Sequence, residues 1–222
     1  MELWHFATKF ILHLDTSLFE LVQQYGTWTY LILFVIIFCE TGLVVTPFLP
    51  GDSLLFAAGA LAGAGSLNLA LLFGLLWCAA VVGDNSNYFI GKFFGTRILE
   101  AKKTRLVKKE YIARTHAFFE RYGTKTIIIA RFVPIVRTFT PFVAGLGRMT
   151  YRRFLPFDIA GGALWVGACT FAGYFFGGHP FVKQHFSLVV LAIIFISILP
   201  GVIGYLRARV GARAAASQKT PP

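Results

Sequence analysis

The sequence predicts an all-α polytopic membrane protein. Two opposed re-entrant helical hairpins, about three transmembrane helices and an N-terminal amphipathic helix make up the expected chain, arranged as an inverted repeat. Three observations lead there. First, 56% of the 222 residues are hydrophobic and 14% are charged, whereas a soluble domain is about 45–50% apolar and about 25% charged. Mean hydropathy is +0.67. Second, the apolar residues come in long blocks, and two of these blocks carry both charges and prolines. Third, the basic residues sit where one face of a bilayer would place them.

In chain order, residues 1–28 form an amphipathic N-terminal segment. Leu3, Phe6, Phe10, Leu14, Leu18 and Leu21 recur at three- and four-residue spacing, opposite Lys9, His13, Glu20 and Gln24, so the helix can lie in the interface or pack on the bundle. No basic start with a clean apolar core follows Met1, so no cleavable signal peptide is expected. Residues 29–206 then form a single membrane transport domain. Within it, 29–49 is long enough to span but holds Glu40 and meets Pro47 and Pro50, while 54–64 is too short to cross. Together they predict a re-entrant hairpin over 29–65 that breaks at PFLPGD. A fuller span, 67–90, ends near Asp84. A basic cytoplasmic loop, 91–125, follows. Residues 126–147 repeat the first oddity, with Arg131, Arg137, Pro134 and Pro141 in an apolar block, and predict the second hairpin. Spans are expected over 154–177 and 186–206, with Pro200 as a kink in the last. Residues 207–222 read as a basic, flexible cytoplasmic tail.

Charge parity tests this layout. Of 21 Lys and Arg, ten lie in 91–125; Arg148, Arg152 and Arg153 follow the second hairpin, and Arg207, Arg209, Arg213 and Lys219 fill the tail. All seventeen can face the cytoplasm only if 126–147 re-enters rather than crosses, which leaves the C-terminus cytoplasmic. The same parity opens the first hairpin to the outer face. Opposed hairpins of this kind belong to inverted-repeat transporters, whose sites form at broken helices. TPF recurs at 46–48 and 140–142, and "NYFIGKFFG" echoes "AGYFFGGHP". The net charge of +11 is not interleaved with aromatics on a soluble surface, so it serves orientation and contact with anionic headgroups; no nucleic acid is expected.

The chemistry centres on Glu40, Asp52, Arg131 and Arg137. A charge at the middle of an inserting helix costs about 2.5–3.5 kcal/mol, so these four must face a polar cavity or one another. One reading is structural: the two signs neutralise each other and hold the hairpin tips together. The other is a site. Arginine stays charged when buried and offers a planar fork to a phosphate; a carboxyl out of water can take up and release protons in the working pH range. On that reading Arg131 and Arg137 bind phosphate, and Glu40 and Asp52 couple protons. Asp84 and Asp158 are secondary candidates.

The stretches "FCETGLVVTPFLPGDSLLFAAGALAG" from Phe38, "GDNSNYFIGKFFG" from Gly83 and "ARFVPIVRTFTPFVAGLGRMTYRRFLPFDIAGGALW" from Ala130 resemble the DedA membrane proteins. These are the bacterial branch of the SNARE-associated, or VTT-domain, group that includes eukaryotic lipid scramblases. The resemblance runs from about residue 30 to 200. It implies two opposed re-entrant hairpins, a bacterial inner (cytoplasmic) membrane location and a link to the proton-motive force. It also implies transport of lipid-linked phosphates such as undecaprenyl phosphate. The family's required acids fall on Glu40 and Asp52, and its required arginines on Arg131 and Arg137. At Asp158 the resemblance implies a neutral amide, so this chain adds a titratable group at the start of a span.

Other signals carry less. "GDSLL" at 51–55 matches a serine-esterase tetrapeptide, but no downstream Asp-x-x-His accompanies it. His116, His179 and His185 are scattered, and Cys39, Cys78 and Cys169 have no ligand spacing, so neither metal nor other cofactor is expected. A covalent phospho-intermediate would need a histidine near Arg131 and Arg137, and none is there; an enzyme is not expected. The resulting expectation is a proton-influenced transporter, flippase or scramblase of undecaprenyl phosphate or a phospholipid, with lipid and protons as partners and homo-oligomerisation left open. A proton-driven exporter of small cations or drugs, and a membrane scaffold, are the alternatives.

Overall fold

The computed structural model describes residues 22–43, 51–100, 126–132, 134–147, 149–186, 188–193 and 195. Among them the chain is helical, with no strand. Seven helices are α1 (Trp28–Gly42), α2 (Gly51–Gly63), α3 (Leu69–Glu100), α4 (Thr126–Ala130), α5 (Pro134–Leu146), α6 (Tyr151–Phe176) and α7 (Pro180–Gln184), and a further helical run covers 188–193.

Two helices are long and apolar enough to cross a bilayer, Leu69–Phe94 and Tyr151–Phe176, of 26 residues each. At 1.5 Å per residue each is about 39 Å long, against a hydrocarbon core of about 30 Å. The span expected over 186–206 is helical where described, and its remainder, with Pro200, lies outside the described residues. So do residues 1–21 of the amphipathic segment and the tail 207–222. Helix α1 begins at Trp28, two residues after Gly26, which takes a positive φ of 52° and whose N–H closes a bond to Val22 O at 2.9 Å.

Both blocks expected to be hairpins are broken into two helices. In the first, α1 stops at Gly42 and α2 starts at Gly51; Pro47 and Pro50 fall among residues 44–50, outside the description. In the second, the break comes at the turn Arg131–Phe132. Pro134 opens α5, where its missing N–H costs nothing, and Pro141 lies inside the helix. One boundary differs from expectation. Helix α3 runs on to Glu100, ten residues past the span expected to end at 90, so the segment 91–125 starts as helix rather than loop. Lys92 does not stop the helix, because a long basic side chain reaches water from an apolar surface.

The two long helices carry the short ones in a reciprocal pattern. Helix α2 packs on α6 and α5 on α3, while α1 lies along α3 and α4 along α6. The contacts match residue for residue. A Cβ on Gly59 would strike Thr170 O, and one on Gly173 would strike Phe56 O; in the other half, Gly145 meets Tyr88 O and Gly91 meets Phe142 O. Each pair thus joins an aromatic-x-x-Gly run on the short helix to a residue and a glycine three positions on in the long one. The core beneath comprises Leu33, Ile37, Leu55, Leu72, Leu76 and Val166. The outward face is apolar as well, with Leu31, Val35, Phe93, Phe171 and Phe175 exposed, as a lipid-facing surface is.

Candidate functional site

The broken helices deliver the charges. Glu40 ends α1, Asp52 starts α2, Arg131 occupies the turn after α4 and Arg137 sits in the first turn of α5. Asp84 lies mid-way along α3 and Asp158 two turns into α6. Glu40, Asp84, Arg131, Arg137 and Asp158 are each at most 5% exposed. These six residues form two clusters, each with one guanidinium between two carboxylates.

In the first cluster, Arg137 Nη2 donates to Glu40 Oε1 at 2.7 Å and Nη1 to Asp52 Oδ1 at 2.7 Å. Its fork therefore joins the two arms of the first broken block to the second. Trp165 closes the arrangement from α6: its Nε1–H donates to Asp52 Oδ1 at 2.7 Å, and the Arg137 guanidinium carbon lies 4.2 Å from the indole centroid. Gly51 makes room, since a Cβ there would collide with the Glu40 carboxylate.

In the second cluster, Arg131 Nη2 donates to Asp158 Oδ1 at 2.6 Å and also to Asp84 Oδ2. Asn85 Nδ2 supports Asp158 Oδ2 at 3.3 Å. The Arg131 side chain fits because Gly161 and Gly162 present no Cβ; one on either would come within 3.0 Å of it. Arg131 Nη1, by contrast, is buried with no hydrogen-bond partner among the described residues. Asn87 Nδ2 on α3 donates to Thr41 O at 3.2 Å and Thr138 O at 2.7 Å, satisfying a carbonyl in the last turn of α1 and tying α5 to the same side chain.

The structure thus brings all four principal candidates into these two clusters, and the secondary pair, Asp84 and Asp158, into the second of them. Four carboxylates against two guanidiniums leave two negative charges in excess when every group is ionised. A surplus of that size out of water favours taking up protons or a cation. One cavity of about 610 Å³ touches both clusters, with Asp52, Arg131 and Trp165 among the residues that line it. Trp165, Asn85 and Asn87 were not singled out from sequence. Trp165 does carry a signal: it sits inside a span, away from the interfacial belts where tryptophan concentrates.

The VTT domain model matches residues 49–175. Protein DedA of Escherichia coli (strain K12) is 54% identical over 218 residues, covering 97% of this chain and all of that one. The chain belongs to the DedA family of membrane proteins. A Mycobacterium leprae member, an uncharacterized membrane protein, is 48% identical over 169 residues, 76% of each chain. Inner membrane protein YghB of Salmonella typhimurium is 37% identical over 172 residues, 77% of each. No solved structure matches. Within the matched domain, 49–175, lie Asp52, Asp84, Arg131, Arg137, Asp158 and Trp165, while Glu40 lies just upstream of it.

Proposed function

We propose that this DedA-family protein is a proton-influenced lipid transporter or scramblase. It moves undecaprenyl phosphate or a phospholipid across the bacterial inner membrane, and Arg131 and Arg137 bind the phosphate. The observation that carries the reading is the placement of both guanidiniums at helix breaks, each held by two carboxylates beside one cavity. A phosphate and a carboxylate compete for the same fork. With Glu40 and Asp52 ionised, Arg137 is occupied. When either carboxyl takes up a proton its hold weakens, and an N–H of Arg137 becomes free for a phosphate oxygen. Proton uptake and lipid binding are then linked, and deprotonation expels the headgroup. Asp84 and Asp158 act on Arg131 in the same way.

The two broken blocks fit re-entrant hairpins entering from opposite faces, and the reciprocal packing of α2 on α6 and α5 on α3 fits an inverted repeat. Alternating access would then tilt one half against the other around the charged centre, with the C-terminus cytoplasmic. The test is leaflet exchange of labelled undecaprenyl phosphate in liposomes at two pH values. Exchange that depends on Arg137 and Glu40 is the expected result; equal rates in folded Arg137→Ala and Glu40→Gln proteins would sink the mechanism.

A further inference from the structure

We infer that a second cavity, at one end of the two membrane-length helices, binds the phosphate of an anionic phospholipid, with Lys92 of α3 and Arg152 of α6 as its cations. This lipid is a resident of the site and not the cargo of the charged centre, so the inference holds whether or not the protein carries lipid.

The cavity measures about 630 Å³ and is lined by Lys92, Phe93, Met149, Thr150, Tyr151 and Arg152. That volume lies within the ~300–1,000 Å³ of sites that hold one small ligand. It shares no lining residue with the cavity beside the ion clusters. Along α3, Lys92 is eight residues beyond Asp84, about 12 Å. On α6, Arg152 precedes Asp158 by six residues, about 9 Å. Its depth follows from its walls. Lys92 and Phe93 close the apolar span Leu69–Phe94, and Tyr151 and Arg152 open the span Tyr151–Phe176. The two helices thus bring their boundary residues to one place, where headgroups meet hydrocarbon.

The charge of the cavity calls for an anion. Lys92 and Arg152 come from different helices, both line it, and both are exposed. Neither has a carboxylate partner among the described residues, where Arg131 and Arg137 hold Glu40, Asp52, Asp84 and Asp158. Two like charges on one cavity repel, and a phosphate between them replaces that repulsion with two attractions. At the edge of hydrocarbon the phosphate is a lipid headgroup, and basic side chains there strengthen its hold. A zwitterionic lipid brings its own ammonium close to the same two cations and fits less well.

The walls suit the rest of the lipid. Phe93 stacks on Phe89 with ring centroids 6.1 Å apart. Phe89 lies 5.4 Å from Tyr151, and Tyr151 lies 5.7 Å from the buried Tyr88. Tyr88 also donates its hydroxyl hydrogen to Met149 O, and Met149 N donates to Ala144 O at 2.9 Å. These walls are therefore held before any lipid arrives, which limits the ordering cost of binding. Val82, Phe89 and Phe93 are exposed at seven- and four-residue steps, so they form one stripe on α3. At 1.5 Å per residue the stripe is about 16 Å long, close to half of a hydrocarbon core of about 30 Å. An acyl chain that starts at the cavity has this stripe to lie against.

The test uses the full-length protein in detergent micelles with dioleoyl phosphatidylglycerol as probe, and dioleoyl phosphatidylcholine and inorganic phosphate as comparisons. Bound lipid is read by native mass spectrometry against its mole fraction. Phosphatidylglycerol is expected to half-saturate at about a tenfold lower mole fraction than phosphatidylcholine. Lys92→Gln and Arg152→Gln should each weaken it about fivefold. Arg153→Gln removes the same charge from a neighbour that does not line the cavity and should leave binding unchanged, as should Lys92→Arg. A second measurement needs no variant. Phosphatidylglycerol should slow acylation of the Lys92 amine by a neutral succinimidyl ester about fivefold or more relative to Lys183, and inorganic phosphate should not.

Several results would overturn the inference. They are equal binding of the two lipids, equal losses in Arg152→Gln and Arg153→Gln, or Lys92 acylation indifferent to phosphatidylglycerol. Protection of Lys92 by inorganic phosphate would make the site one for a free anion and remove the lipid. Binding that needs Arg137 but survives the loss of both Lys92 and Arg152 would place the lipid in the charged centre and leave this cavity without a ligand.

Discussion

The guanidinium of Arg137 stacks on the indole of Trp165, 4.2 Å from its centroid, while the same indole N–H holds Asp52. Trp165 therefore touches both signs of one ion pair, and it lines the cavity together with Asp52. Cation–π contact out of water contributes roughly 2 kcal/mol, and a hydrogen bond to a charged group about 1.5–3 kcal/mol. Trp165→Phe keeps a ring over Arg137 and removes the donor to Asp52. Lipid exchange in liposomes is expected to fall by about tenfold in Trp165→Phe and further in Trp165→Ala. Unchanged exchange in both would show that Trp165 only fills space.

The ion clusters make different demands on stability and on function, and the two can be separated. Arg137→Met strands Glu40 and Asp52 in a buried site, which costs about 3–5 kcal/mol. Thermal unfolding in detergent should register that loss. Adding Glu40→Gln and Asp52→Asn removes the stranded charges, and most of the stability should return, since neutral replacements of a buried ion pair are often harmless. Exchange should remain absent in the triple variant. If it returns with stability, the charges are a scaffold and carry no lipid.

Much of this site was legible in sequence, because a charge inside an apolar block has few physical excuses. Glu40, Asp52, Arg131 and Arg137 stood out on that ground, and the proline text marked the breaks that bring them inward. The partners were not legible. Arg131 turned out to pair with Asp84, 47 positions away, and with Asp158, 27 away; neither separation has a period that a single helix or strand would impose. Asp84 read as the end of a span because basic residues begin at Lys92, whereas α3 carries on through them to Glu100 and leaves Asp84 mid-helix. Trp165 was hidden for a related reason: an aromatic in a membrane chain is ordinary until a guanidinium is found on its face.

The pH response follows from the competition for the two guanidiniums. Lowering the pH protonates carboxylates, frees N–H groups and should raise exchange. The range to use lies above the second ionisation of a phosphate monoester, about pH 6, so that the lipid keeps its charge. Asp158→Asn removes one competitor for Arg131 while an amide can still accept its hydrogen bond. The variant is expected to exchange faster than the parent near pH 8 and to show a flatter profile towards pH 6.5. A variant that is slower at both ends would mean that Asp158 holds Arg131 in place rather than competing with the lipid.

The reciprocal packing gives a prediction that does not involve charge. Gly59 and Gly145 occupy equivalent positions, each against a main-chain carbonyl of a long helix, Thr170 O for the first and Tyr88 O for the second. Alanine at either position places a methyl where the carbonyl stands, and the helix pair must separate. Overpacking of that kind costs typically about 1–3 kcal/mol. Because the two contacts are the same in kind, Gly59→Ala and Gly145→Ala should lower the unfolding temperature by similar amounts. The sites belong to different helix pairs and share no partner, so the double variant should show the sum, within about 0.5 kcal/mol. A large cost at one site with none at the other would mean that the two halves do not support the charged centre equally, and the inverted-repeat reading would lose its packing argument.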